Sequence, residues 1–387
     1  MDIHQLRHEI PAVRNCIYLN TGWSGPSPTP VLDAIREHLE WENSLGPATP
    51  PALEKHKEAR ESVRKGLARL LGARPEEFTL TENTTQGINI ITNGLEWRPG
   101  DEVVTCDLEH PSILIPCLYL QKRFGVVLKM VSLRDVSRPE DIVSRIEEAF
   151  TPRTRLLCLS HIIYLTGLRL PLLEIQSLAR KHGVLILVDG AQSVGHIPVN
   201  LTQLGCDFYA FPGHKWLLGP DGVGALFIRK ELIPMVEPRY VAHCAALSYD
   251  INGNLETNVE DIKKFELTTT SGPLWSGLQK AIEFVEAVGL ETIESRVMTL
   301  TSMLEEELKR LSSITLLSPH LPTLASGLVS FSVSGREAPE ITTYLWEQGR
   351  IAARSVKNPT CTRLSVAFFN TSEELETVVA TLRRLVT

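Results

Sequence analysis

Between about residue 78 and residue 230 the chain alternates short runs of apolar, often β-branched residues with amphipathic helical stretches. Strand–helix alternation at this spacing predicts an α/β fold in which a mostly parallel sheet lies between layers of helices. Ligands of such sheets bind at the carboxyl ends of the strands. The predicted strands are 102–106, 126–131, 155–160, 184–189, 207–211 and 223–228, and the predicted helices between them are 112–124, 139–149 and 171–182.

After about residue 260 longer helical patterns replace this alternation. We therefore predict a second, smaller α+β domain, joined to the first through the helix at 275–288. Residues 16–265 are assigned to the large domain, and residues 1–15, as an N-terminal arm, together with 266–387 to the smaller one. The other elements predicted in this part are helices at about 291–312, 337–348 and 372–385 and strands at 327–333, 351–355 and 362–369.

The composition is that of a soluble globular protein, with 43% hydrophobic and 22% charged residues among 387. A net charge of −7 without any basic run argues against nucleic acid or an anionic membrane as a partner. The apolar stretches are too short to span a bilayer and the N-terminus has no signal-peptide core, so we expect a cytoplasmic protein. Seven scattered cysteines without a CxxC pair predict neither a disulfide framework nor a metal site.

An aspartate and a lysine follow neighbouring predicted strands. Asp189 ends the apolar run in "LVDGAQSVG", where an ionised carboxylate is costly unless a cation or several donors meet it. It is either the N-cap of the next helix or the counter-charge of a bound cation. Lys215, in "GHKWLLGPDGVGAL", follows one strand later, so both groups can reach the same edge of the sheet. The same rule also selects His110, His161 and Gln192.

A second feature is the segment "TENTTQGINI" at 81–90, where a loop rich in Thr and Asn enters a helix. The free N–H groups and positive end of such a helix suit a phosphate, although an ordinary capped helix has the same pattern. Neither GxGxxG nor GxxxxGK[ST] occurs, which disfavours nucleotide binding. A phosphate site, an aspartate and a lysine at one edge are three of the parts that pyridoxal 5'-phosphate requires, since the lysine forms its Schiff base and the aspartate pairs with its pyridinium nitrogen.

These segments resemble the class V aminotransferase family, in the branch of the cysteine desulfurases and cystine C–S lyases. The resemblance implies the type I fold of pyridoxal phosphate-dependent transferases, with a mostly parallel, seven-stranded type of sheet. It also implies a homodimer whose active sites lie near the subunit interface. The matching segments are "TENTTQGIN", "EHPS", "VDGAQSVG", "GHKWLLGPDGVGAL", "KKFELTTTSGP" and "TRLSVAFFNT".

The resemblance also implies roles for the cofactor-binding residues. Lys215 would hold pyridoxal phosphate covalently and shuttle protons. His110, the second catalytic candidate, would stack on the ring. The remaining cofactor contacts would be Asp189 to the pyridine nitrogen, Gln192 to the phenolic oxygen, Thr84, Thr85 and His214 to the phosphate, and Thr269 to the phosphate in the neighbouring subunit.

On the substrate side, Arg363 would bind the carboxylate, which a bidentate guanidinium suits well. Arg354 is a candidate for a second substrate carboxylate or for orienting the first, and a surface position is equally compatible with its sequence. The chain departs from the family at Pro212, where a phosphate-binding Ser or Thr is usual. It departs again at Tyr164, where desulfurases carry an asparagine near the substrate.

The segment before Arg363 decides between two reactions. A desulfurase needs a mobile cysteine there, but "RIAARSVKNPTCTRLSV" is short and its one cysteine, Cys361, is better explained as a buried strand residue. We therefore predict a C–S lyase that eliminates the β-sulfur group of cysteine, cystine or an S-substituted cysteine. The alternatives are a desulfurase or selenocysteine lyase that yields alanine, an epimerase or aminotransferase of the same family, and a non-catalytic protein that binds the cofactor.

Overall fold

The computed structural model describes residues 3–319, 321–357 and 359–386. Strands and helices alternate through its first part, and helices dominate its second part. The strands are β1 Ile17–Tyr18, β2 Phe78–Thr81, β3 Glu102–Cys106, β4 Val127–Val131, β5 Thr154–Ser160, β6 Leu185–Asp189, β7 Phe208–Pro212, β8 Gly224–Ile228, β9 Ala246–Tyr249, β10 Leu255–Thr257, β11 Ile314–Leu316, β12 Leu328–Val333, β13 Ile351–Ala352, β14 Arg354–Val356 and β15 Cys361–Ser365. The helices are α1 Ile3–His8, α2 Thr29–Leu45, α3 Pro50–Leu71, α4 Thr84–Gly94, α5 Pro111–Phe124, α6 Pro139–Ala149, α7 Leu172–His182, α8 Leu201–Leu204, α9 Gly272–Val288, α10 Leu290–Lys309, α11 Ala338–Gly349 and α12 Ser372–Val386.

Seven strands form the central sheet in the order β2-β8-β7-β6-β5-β3-β4. All neighbours in the run from β7 to β4 are parallel, and β8 is antiparallel to both of its neighbours. The mostly parallel α/β sheet predicted from the sequence is therefore confirmed, and each of the six predicted strands is present with ends shifted by a residue at most. The seventh, β2, has only four residues, "FTLT", and so offers too little pattern to be predicted from alternation.

The two faces of this sheet are buried by different helices, because successive side chains of a strand point to opposite sides. Leu156 and Cys158 of β5 belong to a core that also contains residues of α4 and α5. Leu157 and Leu159 belong to a second core with residues of α3, α6, α7 and α9. Burial on both faces explains why the central strands are continuously apolar rather than alternating.

A four-stranded antiparallel sheet of order β11-β12-β15-β14 forms the centre of the second part. Leucines and isoleucines of α10, α11 and α12 pack on it in a third core. The single strand expected at 351–355 is instead divided into β13, which pairs with β1, and β14, which joins the four-stranded sheet. The domain boundaries expected from the sequence remain a prediction. Helix α9, which that prediction assigns to the smaller domain, packs against α2 and α3 of the large one. None of the described helices has the length and apolar character that a membrane crossing requires.

A buried ion-pair cluster connects α3 and β2 to the segment that precedes α9. The Glu266 carboxylate is 3% exposed and contacts the guanidinium groups of Arg60 and Arg64. The same carboxylate accepts a hydrogen bond of 3.0 Å from the backbone N–H of Leu80. Two arginines thus share one buried acid, and Arg64 also contacts the partly exposed Glu61 at 2.6 Å.

We expect Glu266→Gln to lower the free energy of unfolding by about 3 kcal/mol, because it removes the buried carboxylate that Arg60 and Arg64 share and leaves Arg64 with only the partly exposed Glu61. Denaturant unfolding monitored by circular dichroism measures the change. Glu54→Gln is the matched control. It breaks an exposed pair with Lys57 and should change the free energy of unfolding by about 0.5 kcal/mol or less. Equal effects of the two substitutions would contradict the assignment.

Candidate active site

A cavity of about 200 Å³ lies at the carboxyl ends of the central strands. The loops that follow β2, β3, β6 and β7 meet there, because these strands run in the same direction and end at the same edge. Nearly all of the site residues predicted from the sequence line it. They are Thr84, Thr85, His110, Tyr164, Asp189, Gln192, His214, Lys215, Arg354 and Arg363.

Thr269 does not line this cavity. It is exposed in the segment before α9, with a φ of 60° in the left-handed region that non-glycine residues rarely adopt. The contact predicted for it is to a neighbouring subunit, so its position in one chain leaves that prediction untested. His161, which the strand-end rule also selected, does not line the cavity. Its Nδ1 lies 2.8 Å from the Tyr209 hydroxyl in the core.

Asp189 and Lys215 carry opposite charges that burial disfavours. The Asp189 carboxylate accepts one backbone hydrogen bond, from Ala191 at 2.8 Å. Burial raises the pKa of Asp189, against the opposing effect of the Lys215 charge. Burial, together with the positive charges of Arg363 and Arg354, lowers the pKa of Lys215 to about 8 against the opposing effect of the Asp189 charge. The lowered pKa increases the fraction of Lys215 that is present as the neutral amine, the form that attacks a carbonyl.

His110 caps α5 and stands beside this pair. Its Nδ1 accepts a hydrogen bond of 3.1 Å from the Ser112 backbone N–H, and its ring meets the Tyr164 ring edge-on at 4.8 Å. Burial, together with the charges of Lys215 and the arginines, lowers the pKa of His110 to about 4. The imidazole is neutral at physiological pH and can stack on an aromatic cofactor or accept a proton.

Gln192 is fixed by two hydrogen bonds of its side-chain amide. The amide nitrogen donates to the Gly22 carbonyl at 2.8 Å, and the amide oxygen accepts from the Trp216 indole at 2.8 Å. Trp216 in turn is stacked on His196 with ring centroids 3.7 Å apart. One amide hydrogen of Gln192 remains for a ligand oxygen, which is what contact with a phenolate requires.

The opposite end of the cavity presents groups that suit a phosphate. Thr84 and Thr85 begin α4, whose N-cap is Asn83. The Nδ1 of His214 is buried without a hydrogen-bond partner and lies 3.5 Å from the exposed Asp221 carboxylate, which leaves it able to meet a ligand or water. Pro212 supplies neither hydroxyl nor N–H, in agreement with the departure noted in the sequence. The hydroxyl of Ser112, which also lines the cavity, lies 2.8 Å from that of Thr85.

Two arginines approach the cavity from the four-stranded sheet, where Arg354 and Arg363 are direct cross-strand neighbours. Arg363 is 1% exposed and donates to the Tyr164 carbonyl at 2.7 Å, while its Nε and Nη2 have no partner. Burial and the Arg354 charge lower the pKa of Arg363 to about 10. Like charges at opposed strand positions are unfavourable alone, so this pair is suited to bind an anion such as a carboxylate.

Sequence reasoning missed several residues of the cavity wall, among them Ser112 and Trp23. Ser112 could have been found, because it directly follows the His110–Pro111 helix start. Trp23 could not, since only the folded chain brings it beneath Arg354, whose guanidinium lies 3.7 Å from the indole centroid. The cavity combines a lysine of lowered pKa, a buried carboxylate, a buried imidazole without a hydrogen-bond partner and two arginines. This set of groups fits pyridoxal phosphate and an amino-acid carboxylate.

Comparison with known proteins agrees with this fit along the whole chain. The family model "Aminotransferase class-V" matches residues 17–378. A probable cysteine desulfurase of Methanothermobacter thermautotrophicus is 29% identical over 401 residues, covering 100% of this chain and 98% of that protein. The isopenicillin N epimerase of Streptomyces clavuligerus is 31% identical over 387 residues, covering 95% of this chain and 94% of the epimerase.

Solved structures add a third similar protein, the cystine C–S lyase C-DES. Its complex with the reaction product cysteine persulfide has a TM-score of 0.91 and 32% identity, covering 96% of this chain and 98% of that chain. A C-DES variant with glycine linked covalently to the pyridoxal phosphate cofactor has the same TM-score and identity, with 97% of this chain and 98% of that chain covered. Family model, relatives and solved structures all match the chain over nearly its whole length, and the chain belongs to the class V aminotransferase family.

Proposed function

We propose that this chain is a pyridoxal phosphate-dependent carbon–sulfur lyase. It eliminates the β-sulfur group of cysteine, cystine or another S-substituted cysteine and releases pyruvate, ammonia and a thiol or persulfide. The observation that supports this reaction is that none of the seven cysteines, all of them within the described residues, lines the cavity. Without an acceptor thiol beside the substrate, the sulfur departs on its own substituent rather than on the enzyme.

Cys361 is the cysteine closest in sequence to Arg363, and its environment disfavours a nucleophile. It is the first residue of β15, is 1% exposed and pairs with Val356 of β14. Burial raises the pKa of its thiol, which opposes formation of the reactive thiolate. A desulfurase, which leaves alanine, needs a thiolate on a segment that can move, and Cys361 offers neither property.

When bound, pyridoxal phosphate would be held by residues of this cavity. Lys215 would hold it covalently, and Asp189 would pair with its ring nitrogen. Gln192 would contact its phenolic oxygen, and neutral His110 would cover the ring. The phosphate would be bound by Thr84, Thr85 and His214, with Ser112 in place of the hydroxyl that Pro212 lacks, and by Thr269 of a second subunit.

Proton transfer is assigned to Lys215. When bound, pyridoxal phosphate withdraws electrons from the Cα of an attached amino acid and so acidifies its proton. With a pKa of about 8, the Lys215 amine is a base of suitable strength to accept that proton near neutral pH. Neutral His110 is a second group that can hold a proton beside it.

The substrate lies against the four-stranded sheet. The free Nε and Nη2 of Arg363 bind its α-carboxylate, and the Tyr164 ring closes the side of the pocket next to His110. Arg354, packed on Trp23, binds a second carboxylate when the substrate has one, as cystine does. Two arginines at one cavity thus favour a substrate with two carboxylates.

The proposed enzyme is a cytoplasmic homodimer. A groove of about 900 Å³ adjoins the cavity, shares Thr85 and Ser112 with it and exposes Ile115 and Tyr119 of α5. An apolar groove at the mouth of the site suits a second copy of the chain, which also gives Thr269 its expected place. All seven cysteines are free, which is typical of a reducing compartment.

The product identifies the reaction. Incubated with cystine, the enzyme is expected to form pyruvate and ammonia, and Cys361→Ala is expected to retain turnover within about twofold, since the thiol is outside the cavity. Cys244→Ala, which changes a partly exposed cysteine, serves as the matched control. Assays that separate pyruvate, alanine and persulfide decide the question. Alanine as the main product, lost in Cys361→Ala, would establish a desulfurase instead.

The pH dependence of cofactor uptake reports on Lys215. Only the neutral amine attacks the aldehyde, so the rate of uptake by apoenzyme rises with pH up to about 8 and then levels off. Arg363→Gln removes a charge that lowers this pKa and moves the midpoint to higher pH. Asp189→Asn removes a charge that raises it and moves the midpoint to lower pH. Stopped-flow absorbance measures both shifts, and shifts in the same direction would contradict the charge arrangement.

Substrate selectivity tests Arg354. Arg354→Gln is expected to raise KM for cystine about tenfold, the effect of losing one charge-assisted hydrogen bond, and to leave KM for S-methylcysteine within about twofold. Arg350→Gln is the matched control, because Arg350 also packs on a tryptophan, Trp346, but lies outside the cavity. Equal increases for both substrates would assign Arg354 to the α-carboxylate.

A further inference from the structure

Two histidines and one glutamate meet between α2 and α3, and none of them lines the active-site cavity. His38 and Glu42 are one helical turn apart on α2, so they share a face, and His56 approaches from α3. The Glu42 carboxylate is 2.6 Å from the His56 Nε2 and 3.8 Å from the His38 Nε2. One ligand atom of each side chain lies within 4.8 Å of the other two.

The His38 ring is 2% exposed, yet only one of its nitrogens is satisfied. Its Nδ1 lies 2.7 Å from the Ser276 hydroxyl of α9, while its Nε2 has no hydrogen-bond partner. When Nδ1 carries the proton toward Ser276, the Nε2 lone pair faces the Glu42 carboxylate, an arrangement that a cation between them would stabilise.

We propose that His38, Glu42 and His56 form a structural site for a divalent transition-metal ion, most compatible with Zn²⁺. Two imidazole nitrogens and one carboxylate oxygen are established zinc ligands, with bonds of about 2.0–2.2 Å. His56 is a quarter exposed and leaves a path for entry and a fourth position for water. The sequence prediction of no metal site relied on the cysteines, and none of the ligands proposed here is a cysteine.

The proposed ion would connect three helices. Its ligands belong to α2 and α3, and Ser276 of α9 orients His38 in the way that metal-bound imidazoles are commonly held by a second hydrogen bond. The His56 ring also packs on Gly272, the first residue of α9, where a Cβ would lie 2.3 Å from the ring. The site therefore fixes the start of α9, directly after the segment that contains Thr269.

Zinc binding to the full-length holoenzyme, freed of metal with a chelator, tests the proposal. We expect isothermal titration to give one tight Zn²⁺ site per chain, and zinc to produce a saturable rise in the thermal unfolding midpoint. Anomalous scattering at the zinc edge from a soaked crystal should give a peak between the three side chains. Ser276→Ala, which keeps every ligand, should weaken binding by about tenfold or more.

His56→Gln is the main variant, because this partly exposed position tolerates change better than buried His38. It should lose the tight site and the zinc-dependent rise in midpoint. His182→Gln is the matched control, since His182 is also near a glutamate, Glu147, but belongs to no three-ligand group among the described residues. The proposal is overturned if wild type and His56→Gln bind zinc equally, or if the anomalous peak lies elsewhere, in which case Glu42 and His56 form a hydrogen-bonded pair only.

Discussion

The site depends on the burial of opposite charges at one edge of the central sheet. Parallel pairing of β6 and β7 brings the end of one strand, at Asp189, beside the segment that leads to Lys215. Removal from water raises the pKa of the carboxyl and lowers that of the amine, and each charge only partly offsets the shift of the other. A ligand with a cationic nitrogen and an aldehyde would stabilise both groups. The nitrogen would pair with the Asp189 carboxylate, and the aldehyde would react with the Lys215 amine. The free energy that it costs to bury these two charges would be partly offset when the cofactor binds.

The charges around this pair do not balance, and the imbalance indicates which ligands fit. Among the residues that line the cavity, Asp189 is the one acid, while Lys215, Arg354 and Arg363 are basic. His110 remains neutral because those same charges, with burial, suppress its protonation. A ligand set that brings a phosphate and one or two carboxylates would neutralise the excess. The charges of the cavity therefore favour the combination of pyridoxal phosphate with an amino acid that carries one or two carboxylates over either part separately.

Sequence patterns were sufficient wherever one strand or helix decides the outcome. The parallel strands have long apolar runs, and the placement of Asp189 and Lys215 follows from the direction of those strands. Contacts between distant segments could not be predicted: Trp23 packs on Arg354, and His38 meets His56, only through the packing of separate elements. Histidine and glutamate spacing on an amphipathic helix is too common to indicate a cluster. The division of 351–355 into two strands likewise depends on β1, a partner that lies far away in sequence.

The pairing of β14 with β15 connects substrate binding to the choice of reaction. One register places Arg354 opposite Arg363 and Val356 opposite Cys361. Alternation then puts Cys361 and Arg363 on the same face of β15, where the thiol is buried within the strand pairing. To reach a substrate it would have to leave the strand, which would also break the pairing that aligns the two arginines. In this short hairpin, movement of Cys361 would therefore disturb the alignment of Arg354 and Arg363.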